Sequence, residues 1–160
     1  MKNRLTTIFT FLFVLFAVFS AFFGMPGDET ESIYDSMSIP TVEAQLSIDG
    51  KYSTMEDVAL YIHTYGCLPR NYLSKADARA LGWEGGNVEK YAPGWCIGGD
   101  VFGNYEGLLP EAEGRVYYEC DINTLGKSHR GEERIVFSND GLIYYTPDHY
   151  ESFELLYGEE

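Results

Sequence analysis

The chain has 160 residues, with 25 Asp and Glu against 11 Lys and Arg, a formal net charge of −14. This length accommodates one domain with a real core and hardly two, and an apolar content of 45% excludes a disordered chain. The acidity argues against a generic nucleic-acid binder, which neutralises phosphates with clustered Lys and Arg.

In chain order, Lys2 and Arg4 precede an uncharged, phenylalanine-rich run over residues 8–23. A basic start before an apolar stretch is the layout of a secretory signal, here residues 1–24. The run is also about long enough for an uncleaved membrane anchor, which needs roughly 17–25 residues. Residues 25–44 hold Asp28, Glu29, Glu31, Asp35 and Glu43 among Ser, Thr and Pro without periodicity, and read as an acidic linker or pro-segment. Without Lys2, Arg4 and those five carboxylates, residues 45–160 keep 9 basic and 20 acidic residues, so the acidity belongs to the folded domain. The expectation is a monomeric protein secreted to the exterior, with no stable membrane association after signal removal.

Within the domain, Ser53-Thr-Met-Glu56 opens a helical pattern carried by Val58, Ala59, Tyr61, Ile62 and Tyr65 and ended by Gly66 and Pro69. Ser74 is suited to cap a shorter helix over residues 75–81, and residues 87–91 fit one further turn. The texture then changes. Residues 96–102, 115–122, 134–138, 142–145 and 150–156 are runs rich in β-branched and aromatic residues, punctuated by Gly, Asn and Pro. Helices followed by strands at hairpin-length gaps predict an α+β fold, with N-terminal helices packed on a C-terminal antiparallel sheet. Three cysteines, Cys67, Cys96 and Cys120, leave at least one free thiol in a monomer. Cys96 and Cys120 fall in two strand patterns, either as a disulfide or as half-buried thiols.

Alternation along residues 116–122 places Tyr117, Glu119 and Asp121 on one sheet face. Carboxylates on such a face are ordinarily solvated. The alternative is a network with Arg130 and Arg134, which begin the next strand pattern and suit a phosphate by guanidinium geometry. Of the three histidines, His149 follows a Pro-containing turn, His63 lies on the polar side of the first helix, and His129 adjoins Arg130 in a loop. A Glu base, a His acid and two or three cations fit in-line transesterification of RNA by its own 2′-hydroxyl, a reaction that needs no metal or other cofactor.

Several stretches then stand in the order and near the spacing of a known family. They are Cys67-Leu-Pro-Arg-Asn-Tyr-Leu-Ser-Lys75, Ala80-Leu-Gly-Trp83, Ala92-Pro-Gly94, Ile97-Gly-Gly-Asp-Val-Phe102, Asn104-Tyr-Glu-Gly107, Leu109-Pro110, Glu119-Cys-Asp-Ile-Asn123, Arg134-Ile135 and Asp148-His-Tyr150. The chain resembles the barnase/binase group of secreted bacterial ribonucleases, within the microbial guanyl-specific ribonuclease fold. The resemblance implies cleavage of single-stranded RNA, preferentially after guanosine, through a 2′,3′-cyclic phosphate. It implies Glu119 as general base, His149 as general acid, and Lys75, Arg130 and Arg134 as the cations on the phosphate. It further implies a guanine-binding loop of Phe102, Asn104, Tyr105 and Glu106, with Tyr150 near the bound base, Asp121 orienting the arginines and Asp100 steadying Lys75. An acidic barstar-like intracellular inhibitor is the implied protein partner.

The chain departs from the family pattern at Tyr105, where the family carries an Arg, and at Gly141, where it carries a Trp. Its 126–129 loop differs in composition, and residues 45–54 form an additional stretch. A reading from another class is a non-catalytic binding protein that kept the fold. The complete set of catalytic residue types favours the enzyme.

Overall fold

The computed structural model describes residues 46–159. The signal and linker expected before them lie outside the described residues. The first element is helix α1, Met55–Tyr65. Thr54, in extended backbone, accepts the Asp57 N–H, Glu56 and Asp57 occupy the first turn, and Gly66 ends the helix at a φ of +68°. Each feature suits its end of the helix: an oxygen for an orphan N–H, negative charge at the N-terminus, and glycine in the left-handed region. His63 lies exposed on α1, stacked on Tyr157.

A two-residue strand β1, Tyr72–Leu73, leads into the short helix α2, Lys75–Ala80, capped by Ser74. A single 3₁₀ turn, Val88–Lys90, follows. Five strands complete the chain: β2 Cys96–Phe102, β3 Tyr117–Asp121, β4 Arg134–Ser138, β5 Ile143–Thr146 and β6 Glu154–Tyr157. With β1 they form one six-stranded sheet in chain order, β1-β2-β3-β4-β5-β6. All neighbours are antiparallel except β1 and β2, which are parallel. The fold is α+β, as the sequence predicts.

Two details differ. Strand β1 was not anticipated, because two residues carry no period. The last strand begins at Glu154, not at residue 150, because Asp148 accepts from both Ser152 N–H and Ser152 Oγ–H and folds residues 148–152 into a turn.

The sheet has an apolar layer on each face. On one, Val58, Ala59 and Ile62 of α1 pack on Cys120, Ile135, Phe137 and Ile143. On the other, Leu109, Tyr117, Val136, Leu142 and Tyr144 cluster with Phe102, Tyr150 and Phe153. A third cluster joins α2 to β2 through Ala78, Trp83, Val88, Ala92 and Ile97. Each fully buried aliphatic side chain contributes roughly 1.5–3 kcal/mol. Cys96 and Cys120 are buried free thiols, and Cys67 is exposed and free, so the disulfide alternative is not realised.

The register of β2 on β3 positions the site. Pairing slips between Gly98 and Asp100, where Gly99 adopts a φ of +92° and is the extra residue of a bulge. Asp100 therefore faces Glu119, and Phe102 faces Tyr117. Gly98 is required by close approach: a β-carbon there would lie 2.5 Å from that of Cys120. The stretch before α1 belongs to the domain. Tyr61 donates its hydroxyl to the Ile48 carbonyl, and Asn71 pairs with both the N–H and the carbonyl of Tyr52.

Candidate active site

Strand β3 turns Tyr117, Glu119 and Asp121 away from α1, as alternation requires. The two carboxylates are not solvated: Glu119 is 7% exposed and Asp121 is 1% exposed. Two buried carboxylates on one face require partners, and the adjacent elements supply them. Arg130 grips Asp121 with two hydrogen bonds, Nε to Oδ2 at 2.6 Å and Nη2 to Oδ1 at 2.7 Å. Arg134, paired with Asp121 across β3 and β4, brings its Nε to 2.9 Å from Oδ1. That contact is an ion pair without hydrogen-bond alignment, and Arg134 Nη1 donates to the Glu133 carbonyl at 2.6 Å.

Lys75 opens α2, and its Nζ contacts Glu119 Oε1 in an ion pair. Asp100 accepts the Lys75 backbone N–H at 2.9 Å, so it fixes the lysine through the main chain and not through the ammonium. The Tyr150 hydroxyl donates to Glu119 Oε2. Burial alone would raise the Glu119 pKa. The hydrogen bonds from Lys75 and Tyr150, with the charges of Lys75 and Arg130, outweigh burial and hold the carboxyl below its ordinary range. Tyr150 responds oppositely, as burial and the neighbouring Glu119 charge push its phenol well up. Both carboxylate oxygens of Glu119 retain a free lone pair, so a further hydroxyl can donate to it without breaking either contact.

His149 and Tyr150 both sit in the left-handed region, with φ of 55° and 79°. Such backbone costs of order 1–3 kcal/mol per residue and persists only when its surroundings enforce it. Thr146 provides that enforcement. Its Oγ1 accepts the Tyr150 N–H at 2.9 Å and donates to Asp148 Oδ1 at 2.9 Å, while the His149 N–H reaches the Glu132 carbonyl at 3.1 Å. The His149 side chain is exposed, with its ring centroid 4.7 Å from that of Tyr150.

The loop after β2 closes on its own side chain. Asn104 has a φ of 44°, donates Nδ2 to the Leu109 carbonyl and accepts the Leu109 N–H. Its amide is thereby spent on loop shape, and the side chains of Tyr105 and Glu106 in this segment are exposed. Phe102 packs on Tyr150 at 5.0 Å between ring centroids.

One cleft of about 270 Å³ gathers these parts. Lys75, Glu119, Arg130, His149 and Tyr150 line it, with Phe102, Asn104, Tyr105 and Glu106. Arg134, Asp121 and Asp100 stand behind that lining as supports. His63 and His129 lie outside it, and His129 Nδ1 accepts the Gly131 N–H. Sequence reasoning missed two supports. Thr146 carries no motif of its own. Trp83 places its ring 5.7 Å from the Arg130 guanidinium carbon, a contact that only the fold brings about. Among the described residues, no group of three or more His, Cys, Asp or Glu side chains is placed to hold a metal ion.

The chain is similar in sequence to several ribonucleases. A ribonuclease of Bacillus pumilus is 39% identical over 158 residues, covering 94% of this chain and 97% of the relative. A ribonuclease of Heyndrickxia coagulans is 50% identical over 103 residues, 63% of this chain and 94% of the relative. A guanyl-specific ribonuclease of Saccharopolyspora erythraea is 44% identical over 57 residues, 36% of this chain and 56% of the relative. The ribonuclease family model matches residues 55–157, from the start of α1 to the end of β6. All the residues that line the cleft fall inside that match, and the chain belongs to the ribonuclease family.

Proposed function

We propose that this ribonuclease is a metal-independent endonuclease that cuts single-stranded RNA on the 3′ side of guanosine. The observation that carries the reading is the cleft in which Glu119 and His149 line one space with Lys75 and Arg130. Glu119, ionised, takes the proton of the 2′-hydroxyl as its oxygen attacks phosphorus. His149 gives a proton to the departing 5′-oxygen, leaving a 2′,3′-cyclic phosphate. Water opens that ester more slowly, with the two proton roles exchanged. The charge balance suits this order. Lys75, Arg130 and Arg134 are matched by Glu119, Asp121 and Asp100 in the resting site. When Glu119 accepts a proton, the cluster gains one net positive charge as negative charge builds on the phosphoryl oxygens. Backbone groups of the loop at Phe102, Asn104 and Tyr105 and the Glu106 carboxylate read the guanine, and Phe102 and Tyr150 supply apolar surface beside it.

The test is incubation of the purified protein with GpN, ApN, CpN and UpN dinucleotides in EDTA. Cyclic guanosine phosphate forming fastest is the expected result. No turnover, or turnover abolished by EDTA, overturns the reading. Glu119→Ala and His149→Ala should each lower kcat/KM by about 10²–10⁴-fold, the usual contribution of a placed acid or base, with circular dichroism unchanged.

The basic and apolar start supports export through a cleaved leader, checked by finding the processed protein in culture medium. An intracellular acidic inhibitor would meet a chain of charge −14. Its association should therefore depend weakly on salt, and a steep fall of the stopped-flow rate with ionic strength would contradict this.

A further inference from the structure

Positive charge in this acidic chain is mostly neutralised where it stands. Among the described residues, Arg70, Lys75, Arg115, Lys127, Arg130 and Arg134 are each ion-paired with a carboxylate. Lys51, Arg79 and Lys90 are not, and each lies over an aromatic ring instead: Trp95, Trp83 and Tyr91. Arg79 differs from the other two in what its ring also holds. Trp83 is buried, and its ring has the Arg79 guanidinium carbon at 6.0 Å and that of the cleft-lining Arg130 at 5.7 Å. The two guanidiniums are therefore no more than about 12 Å apart. Arg79 also follows Lys75 by four residues on α2. That spacing puts it on the same helix face, about 6 Å further along the axis.

The Arg79 side chain is exposed, and among the described residues it makes no hydrogen bond. Asp77, the carboxylate nearest in sequence, accepts from Ser74. A ring under a guanidinium steadies its plane and leaves the N–H edge free, and a planar fork of free donors suits a phosphate. That phosphate is not the one between Glu119 and His149, because Arg79 stands a helical turn beyond Lys75 and does not line the cleft. We propose that Arg79, seated on Trp83, binds a second backbone phosphate of single-stranded RNA, one or two nucleotides from the bond that is cut. The proposal rests on the ribonuclease reading and adds a contact to it. It gives an acidic enzyme a hold on longer strands that the carboxylate-paired cations of the cleft do not supply.

Binding of non-cleavable 2′-deoxy oligonucleotides tests it without turnover. Affinity is measured against salt for a dinucleotide beginning with dG, and for the same unit lengthened on its 5′ or its 3′ side. On one of the lengthened strands, the slope of log affinity on log salt should be steeper by about 0.7 for the wild type than for Arg79→Gln, the release expected of one single-strand phosphate contact. Arg79→Lys should restore most of that slope, since a point charge also meets a phosphate. Wild type and Arg79→Gln should share one slope on the dinucleotide, whose single phosphate occupies the cleft. Equal slopes on both lengthened strands overturn the contact. So does an equal change on the dinucleotide, because Arg79 would then act on Arg130 through Trp83. Failure of Arg79→Lys to restore any of the slope overturns it too, marking the loss as one of packing. Turnover of RNA is scored separately. A protein that shows the Arg79 contact but never cleaves sinks the ribonuclease reading and leaves the contact standing, and cleavage with equal slopes does the reverse.

Discussion

Glu119 is kept ionised by two donors, Lys75 and Tyr150, against the opposing effect of its own burial. Its folded pKa is therefore depressed. The stability it contributes is present above its unfolded value and is lost as pH falls through the lowered folded value. For the reaction, the acid limb of the kcat/KM profile should lie below the ordinary carboxyl value of 4.5. Tyr150→Phe removes one donor while keeping the ring on Phe102, so that limb should move towards higher pH. A limb that stays in place would show that the hydroxyl does not tune the base. Glu119 and His149 could be named as candidates from alternation and motif order, which need no distances, and both line the cleft. The Tyr150–Glu119 contact could not, since it joins residues 31 apart through a left-handed turn. The resemblance implied Tyr150 near the bound nucleobase; the structure places its hydroxyl on the Glu119 carboxylate.

Among the elements, the turn after β5 is fastened by side-chain hydrogen bonds from Thr146 and Asp148. Thr146 is fully buried and bonds both the Tyr150 N–H and the Asp148 carboxylate. Thr146→Val keeps the shape but leaves the Tyr150 N–H without its acceptor, at a cost of about 1–3 kcal/mol. Urea unfolding should register that loss. The same variant should lower kcat, because Tyr150, whose hydroxyl bonds Glu119, no longer has its N–H held. Unchanged kcat with reduced stability would make Thr146 structural only. Helix α1 and the hairpin strands could be read from caps, periods and turn residues, each a short-range signal. Strand β1 could not, because its existence depends on parallel pairing of Tyr72 with Cys96 and Leu73 with Ile97. The late start of β6 escaped for a similar reason: the turn before it is made by Asp148 side-chain bonds, while residues 150–156 retain strand-like composition.

For the molecule as a whole, net charge and site charge act at different ranges. Lys75, Arg130 and Arg134 are the cations grouped at the site, against a chain of −14. At about 0.7 counterions released per single-strand phosphate contact, three cations limit the slope of log affinity on log salt to about 2 in magnitude, to which Arg79 adds about 0.7 on a longer strand. Titrating a single-stranded oligonucleotide across salt concentrations measures it, and a much steeper slope would reveal cationic contacts beyond these. The acidity in the composition thus limits encounter with RNA without opposing catalysis. The sheet order has a consequence for local opening. Glu119, Asp121 and Arg134 lie on β3 and β4, in the middle of an uninterrupted meander, whereas His149 hangs from a side-chain-fastened turn beyond β5. The proposed base and acid therefore sit on elements expected to open at different free energies. In native-state hydrogen exchange the Tyr150 amide should be released well before those of Ile135 and Val136, and rising urea should silence the enzyme while its central strands are still closed.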